Sequence, residues 1–287
     1  MREFMRTYKM IGLNILIDYK FDTFYTGNIE AYLTLDKPEY FIYTHLVDSI
    51  DMPKLPLKNK TDKRTFYENE TYEYVVYHNQ KEEPLTLIQR RKDYKEYHIY
   101  LNQLTQAPLD GIEYTIHQMV FMEIAVEKGF TPIHSSAFTY HKKAYLISAP
   151  SGVGKTTLSK RMAKLYGSDI INDDKPLLKI VNDEIFVYSS PFSGKEAKNQ
   201  NTIYPLGSII FLEQSLRNEF RVLSNNEAIN HLLKNTFRPD KKDLWENSIT
   251  VMNKLIEDNK IVLYQCVNDN SSGVALKEYL DKWENKK

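Results

Sequence analysis

The sequence predicts an α/β protein in which a β-rich region precedes a domain of alternating strands and helices. Residues 1–109 contain short runs of β-branched and aromatic residues, separated by turn or charge clusters. From residue 110 to residue 287, short apolar runs alternate with stretches of helical spacing, which favours a sheet covered by helices. We therefore expect two parts, an accessory region over residues 1–109 and an α/β domain over residues 110–287.

Composition narrows the class of protein. Hydrophobic residues make up 42% of the 287 residues, which is enough for a packed core. Lys plus Arg and Asp plus Glu both number 38, so there is no basic excess of the kind that general nucleic-acid binding requires. The apolar runs are too short for a membrane span, and no signal-peptide pattern follows Met1. These features predict a cytoplasmic protein.

Cysteine usage agrees with a reducing compartment. Cys266 is the single cysteine, so the chain cannot form an internal disulfide. Its place in an apolar run predicts a small buried side chain rather than a catalytic thiol.

The first region is expected to recognise the substrate or to support assembly, because it contains no phosphate loop, metal-ligand spacing or nucleophile pattern. Asp51–Lys63, with two prolines among many lysines, predicts an exposed loop. The predicted strands of this region are Met10–Ile17, Tyr40–Thr44, Tyr72–His78, Leu85–Gln89 and Tyr97–Leu101.

The second region carries clear helix boundaries. Gly129 and Gly167 each follow a stretch of helical spacing and supply the left-handed position at which helices often end. Ser224 and Glu227 form a Ser-x-x-Glu capping box that opens another helix. The predicted helices are Asp110–Lys128, Thr156–Tyr166, one from Ser224, Trp245–Ile256 and Gly273–Trp283. The predicted strands are Lys143–Ala149, Asp169–Ile171, Gly207–Leu212 and Ile261–Cys266.

A glycine-rich segment lies between the predicted strand ending at Ala149 and the helix that follows. Ala149-Pro150-Ser151-Gly152-Val153-Gly154-Lys155-Thr156 matches the P-loop pattern Gly-x-x-x-x-Gly-Lys-Ser/Thr, except that alanine replaces the first glycine. Glycines let the backbone N–H groups of such a loop converge on one phosphate, and the positive end of the next helix adds to the field.

This match predicts binding of ATP or another nucleoside triphosphate together with Mg²⁺. Lys155 would neutralise the β- and γ-phosphates, and the Thr156 hydroxyl would bind the metal ion. The expected nucleotide contacts are Ser151, Gly152, Val153, Gly154, Lys155, Thr156 and Thr157.

Two further segments carry polar residues of catalytic type. Asp173 and Asp174 end a short apolar run, which we expect to form a strand beside the one that precedes the loop. At that position one carboxylate could hold Mg²⁺ and the other could accept the proton of an attacking hydroxyl. His134 lies just upstream of the same strand, although a lone histidine is more often structural than catalytic.

Together the three segments resemble the HPr kinase/phosphorylase superfamily, bacterial serine kinases whose P-loop fold is shared with phosphoenolpyruvate carboxykinase. The resemblance rests on His134-Ser135, on Ser151–Thr156 and on Asp173-Asp174 at matching spacing, and it covers residues 131–180. It is looser through Ser190–Lys195 and Tyr204–Gln214. Those segments are more similar to diverged HPr-kinase-like proteins of bacterial peptide-modification and surface-synthesis gene sets.

The resemblance implies an ATP-dependent phosphotransferase, with Lys155, Asp173 and His134 as its catalytic residues. Asp173 would activate a serine hydroxyl of a peptide or protein, assisted or oriented by His134, and Asp174 would hold Mg²⁺ with Thr156. The reverse assignment of the two aspartates stays open. A small hydroxylated molecule is the alternative acceptor, and homo-oligomers are common in the superfamily.

The chain also departs from the regulatory enzyme. It has no Leu-Glu-x-Arg-Gly-type motif, so neither phosphorylase activity nor HPr as substrate is implied, and residues before 110 show no resemblance to that enzyme's N-terminal domain. Lys195 is the best remaining cation for contacting phosphate or substrate, although an ordinary surface lysine would fit its context equally well.

Three other classes stay open. Ile209–Glu213 resembles the strand-plus-acid motif of ABC-type and motor ATPases, although no Leu-Ser-Gly-Gly-Gln-like segment follows it. Ala149–Thr157 resembles the loop of guanylate kinase, but nucleoside monophosphate kinases begin at that loop. A nucleotide-binding regulatory protein without turnover is the third class.

Overall fold

The computed structural model describes residues 4–193 and 200–284, and within them the chain forms two mixed sheets and five α-helices. Contacts group the chain into one unit that ends at Ile124 and a second that begins at Ala125. This boundary lies inside helix α1 (Leu109–Glu127), whereas the sequence pattern changes near the start of that helix. None of the helices in the described ranges is long and apolar enough to span a bilayer.

The first unit contains an eight-stranded sheet with the order β1-β2-β3-β8-β7-β6-β5-β4. The pairs β2–β3 and β3–β8 are parallel, and the other neighbours are antiparallel. Its strands are β1 (Phe4–Met10), β2 (Leu13–Tyr19), β3 (Tyr40–Val47), β4 (Asn59–Lys60), β5 (Arg64–Glu68), β6 (Tyr72–His78), β7 (Pro84–Arg91) and β8 (Glu96–Asn102). The predictions for Tyr40–Thr44, Tyr72–His78, Leu85–Gln89 and Tyr97–Leu101 are confirmed as parts or the whole of these strands.

The prediction of one strand over Met10–Ile17 is wrong, because a hairpin turn interrupts it. Ile11 and Gly12 both have positive φ angles, of 51° and 83°, and reverse the chain between β1 and β2. Two positive φ values match the right-handed twist of paired strands, but a β-branched residue is unusual at the first of them. Likewise, β4 lies at the end of the stretch that was predicted to be loop throughout, Asp51–Lys63.

Helix α1 joins the sheet of the first unit through buried polar contacts. The Glu113 carboxylate accepts hydrogen bonds from the backbone N–H groups of Lys20 at 2.8 Å and Phe21 at 3.0 Å. His117 lies between the Tyr25 hydroxyl, 2.6 Å from its Nδ1, and the Thr44 hydroxyl, 2.8 Å from its Nε2. Because buried polar groups cost free energy unless they are paired, these contacts fix the helix on the sheet.

A buried ion cluster lies on the same sheet. The Arg90 guanidinium donates to the Glu73 carboxylate through Nε at 3.0 Å and Nη2 at 2.7 Å, and to the Glu123 carboxylate through Nη1 at 2.7 Å. The Tyr94 ring lies 4.8 Å from the guanidinium carbon. The cluster thereby connects β6, β7 and α1.

The second unit contains a nine-stranded sheet centred on β15. Strands follow the order β12-β10-β11-β15-β14-β13-β9, and β17 pairs with both β15 and β16. The strands are β9 (Thr131–Pro132), β10 (Ser136–Tyr140), β11 (Lys143–Ser148), β12 (Ile170–Asn172), β13 (Leu177–Val181), β14 (Glu184–Tyr188), β15 (Ile203–Gln214), β16 (Glu219–Val222) and β17 (Ile261–Cys266).

Helices cover both faces of this sheet. Alternate residues of β11, β15 and β17 divide between two apolar clusters, because successive side chains of a strand point to opposite faces. One cluster includes Leu232 and Leu255 from the helices α3 (Asn225–Asn235) and α4 (Trp245–Glu257). The other includes Leu158 and Leu276 from α2 (Lys155–Tyr166) and α5 (Ser271–Glu284).

The predicted boundaries of the second region agree with these elements. Gly129 and Gly167 follow α1 and α2 with φ values of 80° and 68°, and Ser224 and Glu227 form the capping box at the start of α3. Cys266 is buried at the end of β17, where burial raises the pKa of its thiol. These helix-end predictions are therefore confirmed.

Candidate functional site

Three strands bring the predicted site segments to one edge of the second sheet. Strand β10 pairs antiparallel with both β11 and β12, with Ser136 opposite Ile147 and Ala137 opposite Asn172. The start of β10 therefore lies beside the ends of β11 and β12. The expectation that the Asp-Asp strand neighbours the loop strand is wrong, because β10 lies between them.

Backbone and side-chain contacts tie the three segments together at that edge. The Ser148 hydroxyl donates to the His134 carbonyl at 2.8 Å, and the Ser135 N–H donates to the Asp174 carbonyl at 2.9 Å. Hydrogen bonds between segments that are distant in the sequence thus hold His134 and Asp174 in place.

The loop of residues 149–154 connects β11 to α2. Gly152 and Gly154 have φ values of 84° and 123°, a conformation that side-chain-bearing residues rarely adopt, so the loop needs glycine at both positions. The Gln214 amide at the end of β15 donates to the Val153 carbonyl at 3.1 Å and supports the far side of the loop. Ser151 and Gly152 are exposed at its tip.

Lys155 is the first residue of α2 and folds back across the loop. Its Nζ donates to the Ala149 carbonyl at 2.8 Å and to the Pro150 carbonyl at 3.4 Å, and the residue is 8% exposed. Burial lowers the pKa of its ammonium group, while the Asp174 carboxylate acts in the opposite direction. Among the described residues, no side chain caps the N-terminus of α2 at Gly154, so its first N–H groups face outward without an intrahelical acceptor.

Asn172 shapes the turn that carries the two aspartates. Its buried side-chain oxygen accepts the N–H groups of Asp174 at 3.0 Å and Lys175 at 2.8 Å, an Asx-type turn at the end of β12. Its amide nitrogen donates to the carbonyls of Ser190 at 3.0 Å and Phe192 at 3.3 Å. Asp173 is buried beside this turn, at 8% exposed.

Opposite charges gather around Asp174. One carboxylate oxygen lies 2.6 Å from the Lys175 Nζ, and the other lies 3.7 Å from the His134 Nε2. Burial and the neighbouring Lys155 charge lower the pKa of His134, while Asp174 raises it. The lowered pKa favours the neutral imidazole, in which one ring nitrogen can accept a hydrogen bond and the other can donate one.

A cleft of about 750 Å³ opens beside the loop. Its walls are the 149–153 segment, the end of β15, His134 and one side of α3. The residues that line it are His134, Ser148, Ala149, Pro150, Ser151, Gly152, Val153, Phe211, Leu212, Glu213, Gln214, His231, Lys234 and Asn235.

The structure thus gathers His134, the 149–156 segment and the Asp173-Asp174 turn at one edge, whereas Lys195 lies outside the described residues. Within the described ranges, no group of three or more His, Cys, Asp and Glu side chains could hold a metal ion by itself. Sequence reasoning missed Asn172, Lys175 and the α3 wall. Lys175 adjoins the aspartates and could have been found there, but no local pattern indicates which face of α3 meets the cleft.

Comparisons with known proteins add little to this geometry. No family model matches the chain, and no curated protein matches it. Among solved structures, the chain is similar to the Hpr(Ser) kinase/phosphatase from Coxiella burnetii, with 12% identity and a TM-score of 0.32, over 53% of this chain and 98% of that chain.

Proposed function

We propose that this chain is an ATP-dependent kinase that transfers the γ-phosphate to a hydroxyl group, with a serine of a peptide or protein as the acceptor. The observation that carries the proposal is the meeting of three segments at one sheet edge: the glycine loop, His134 and the Asp173-Asp174 turn. Phosphoryl transfer needs chiefly positioned cations, a cradle for phosphate and a group that orients the nucleophile.

In this proposal the 149–156 segment is a P-loop and binds the triphosphate. Backbone N–H groups of Ser151 to Thr157 surround the β-phosphate, and the uncapped N-terminus of α2 adds partial positive charge. When the nucleotide binds, the Lys155 ammonium moves away from the Ala149 and Pro150 carbonyls and donates to phosphate oxygens instead. Burial lowers the pKa of this ammonium although the Asp174 carboxylate acts in the opposite direction, so a phosphate beside it would stabilise its charge further.

The donor set fits Mg²⁺, which usually takes one or two carboxylates and completes its octahedron with phosphate oxygens and water. The Thr156 hydroxyl and the Asp174 carboxylate supply donors of this kind. A bound Mg²⁺ would reduce the negative charge on the phosphates. The Lys175 ammonium, 2.6 Å from Asp174, neutralises that carboxylate in the free protein.

Asp173 is the proposed base that accepts the proton of the acceptor hydroxyl. Its place in the Asn172-stabilised turn fixes it at the same edge as the loop. The Nε2 atom of His134 lies 3.7 Å from the carboxylate of Asp174. This contact favours a role for His134 in orienting the aspartate pair over direct proton transfer.

An Asp173→Asn variant tests the proposal. We expect transfer of labelled phosphate from ATP to a pool of serine-containing peptides to fall about 100-fold or more, because a general base contributes on that order. Affinity for ATP, measured with a fluorescent analogue, should stay largely unchanged. Asp169→Asn is the matched control, since Asp169 is exposed and precedes the same strand that Asp173 follows. Unchanged transfer in Asp173→Asn contradicts the assignment.

A nucleotide hydrolase is the second candidate, and the position of Glu213 favours it. Glu213 lies at the end of β15, the parallel neighbour of β11, and lines the cleft beside the loop. At that place a carboxylate could orient an attacking water. Loss of ATP hydrolysis in Glu213→Gln with full retention in Asp173→Asn would select this function over the kinase.

A further inference from the structure

One face of α3 forms a polar wall of the cleft. His231, Lys234 and Asn235 have the spacing that places side chains on one side of a helix, and all three line the cleft. Ala228 and Leu232, on another side of α3, are buried in the core. The wall is therefore a defined face of a helix that the core holds in place.

His231 is fixed in orientation on this wall. Its ring centroid lies 4.7 Å from that of Phe211, which is 2% exposed, and the two planes are inclined by 32°. Burial lowers the pKa of His231, so the imidazole is neutral at pH 7 and can offer one donor and one acceptor. Within the described part of the chain, neither of its ring nitrogens has a hydrogen-bond partner.

Lys234 supplies the wall with a positive charge. The side chain is exposed, and it makes no ion pair with any residue in the ranges 4–193 and 200–284. Glu213 also lines the cleft; its carboxylate accepts the Gln265 amide at 3.0 Å and lies near enough to His231 to oppose the lowering of that pKa. A negatively charged ligand in the cleft would thus be attracted to Lys234 and repelled by Glu213.

The wall also adjoins His134. The His134 N–H donates to the Asn235 carbonyl at 2.8 Å, so the end of α3 is bonded directly to the residue that contacts Asp174. An acceptor lying along α3 would bring its hydroxyl towards His134, which lines the cleft and contacts Asp174. The nucleoside, by contrast, would extend past the N-terminus of α2, because the α-phosphate of a P-loop nucleotide lies there.

We infer that this face of α3 is the acceptor subsite, and that Lys234 binds a carboxylate close to the acceptor hydroxyl. The inference rests on the proposed kinase function and names its substrate class. That carboxylate could belong to an acidic residue flanking serine in a peptide, or to a free hydroxy acid such as serine or glycerate.

A binding experiment with the full chain tests the subsite. The probes are serine peptides with Glu, Gln or Lys at the flanking positions, together with free L-serine and glycerate, each with Mg²⁺ and a non-hydrolysable ATP analogue. We expect carboxylate-bearing probes to bind about 2- to 5-fold more tightly than neutral ones, as for an exposed charge pair. The peptide and free-acid arms show which source of carboxylate the wall accepts.

Variants at position 234 test whether Lys234 causes the carboxylate preference. Lys234→Gln should abolish the preference, and Lys234→Glu should turn it towards Lys-flanked peptides, while affinity for the ATP analogue stays unchanged. Lys164→Gln, an exposed lysine in the last turn of α2, is the matched control. No carboxylate preference, or one that survives Lys234→Gln, overturns the subsite.

Phosphate transfer to the same probes separates the two proposals. If labelled product forms without any carboxylate preference, the kinase proposal stands and the subsite proposal is contradicted. Carboxylate binding that depends on Lys234 without labelled product supports the subsite as a ligand site and contradicts the kinase.

Discussion

Buried polar side chains serve different ends in the two units. In the first, Glu113, His117 and Arg90 are almost fully buried, and each meets partners of complementary hydrogen bonding or charge. At the sheet edge of the second, burial lowers the pKa of both Lys155 and His134, and the Lys155 charge lowers that of His134 further. Fully paired groups thus stabilise the fold of the first unit, whereas burial at the sheet edge disfavours the charged forms of Lys155 and His134, which an anionic ligand would stabilise.

The strongest test of the comparison is Arg90→Met in the first unit. The variant leaves the Glu73 and Glu123 carboxylates buried without their cation, and we expect a loss of about 3 to 5 kcal/mol in the free energy of unfolding. Urea denaturation of the full chain measures it. The neighbouring Arg91→Met is the control, because its pair with Asp93 is far more exposed and should contribute about 1 kcal/mol or less. Equal losses of unfolding free energy in both variants would contradict the distinction between the buried and the exposed ion pairs.

A pH series separates two opposing groups of the first unit. Burial lowers the pKa of His117 to about 3 from 6.5, so the unfolded chain takes up this proton first and stability falls as the pH drops below 6.5. Burial raises the pKa of Glu113 to about 7 from 4.5, so the folded chain takes up that proton first and stability rises as the pH drops from 7 to 4.5.

The two effects cancel in the wild type between pH 6.5 and 4.5, and single variants expose each of them. As the pH falls from 6.5 to 4.5, we expect the free energy of unfolding of His117→Gln to rise by about 2 to 3 kcal/mol. That of Glu113→Gln should fall by about the same amount. Urea denaturation at intervals of pH measures both slopes. Parallel curves for the wild type and the two variants would contradict the assigned pairings.

The smallest expected change in stability, with a clear change in binding, comes from Lys155→Met in the second unit. Removing a buried ammonium whose pKa is lowered relieves desolvation while losing two hydrogen bonds, so stability should change by no more than about 1 kcal/mol. ATP affinity should fall about 10- to 100-fold, because a charge-assisted phosphate contact is lost. Calorimetric titration and urea denaturation measure the two effects. A large loss of stability with unchanged ATP affinity would make Lys155 a structural residue.

Local signals in the sequence predicted much of the fold. Strands Tyr72–His78 and Ile261–Cys266 were predicted at their observed bounds, because both are short apolar runs between turn residues. The ends of α1 and α2 followed from Gly129 and Gly167. Strands β9 and β16 were not predicted, since their strand character comes from pairing with distant segments. The local hairpins β10–β11 and β13–β14 were also missed, because their turns at residues 141–142 and 182–183 contain no glycine.

The site was predicted in its motifs but not in its arrangement. The order of β12, β10 and β11 depends on long-range pairing, so the sequence placed the aspartates one strand too close to the loop. Likewise, the buried role of Asn172 depends on the Ser190 and Phe192 carbonyls, which lie far along the chain. Motifs indicate which chemistry is present, while tertiary pairing decides which groups meet.

The double role of Asn172 has an evolutionary consequence. One buried amide stabilises both the acidic turn and the segment at Ser190–Phe192, so a replacement at position 172 would disturb two places at once. We expect chains that share this fold to keep asparagine there or to change both segments together. Substitutions in the two segments should therefore be correlated, even where the rest of the sequence has diverged.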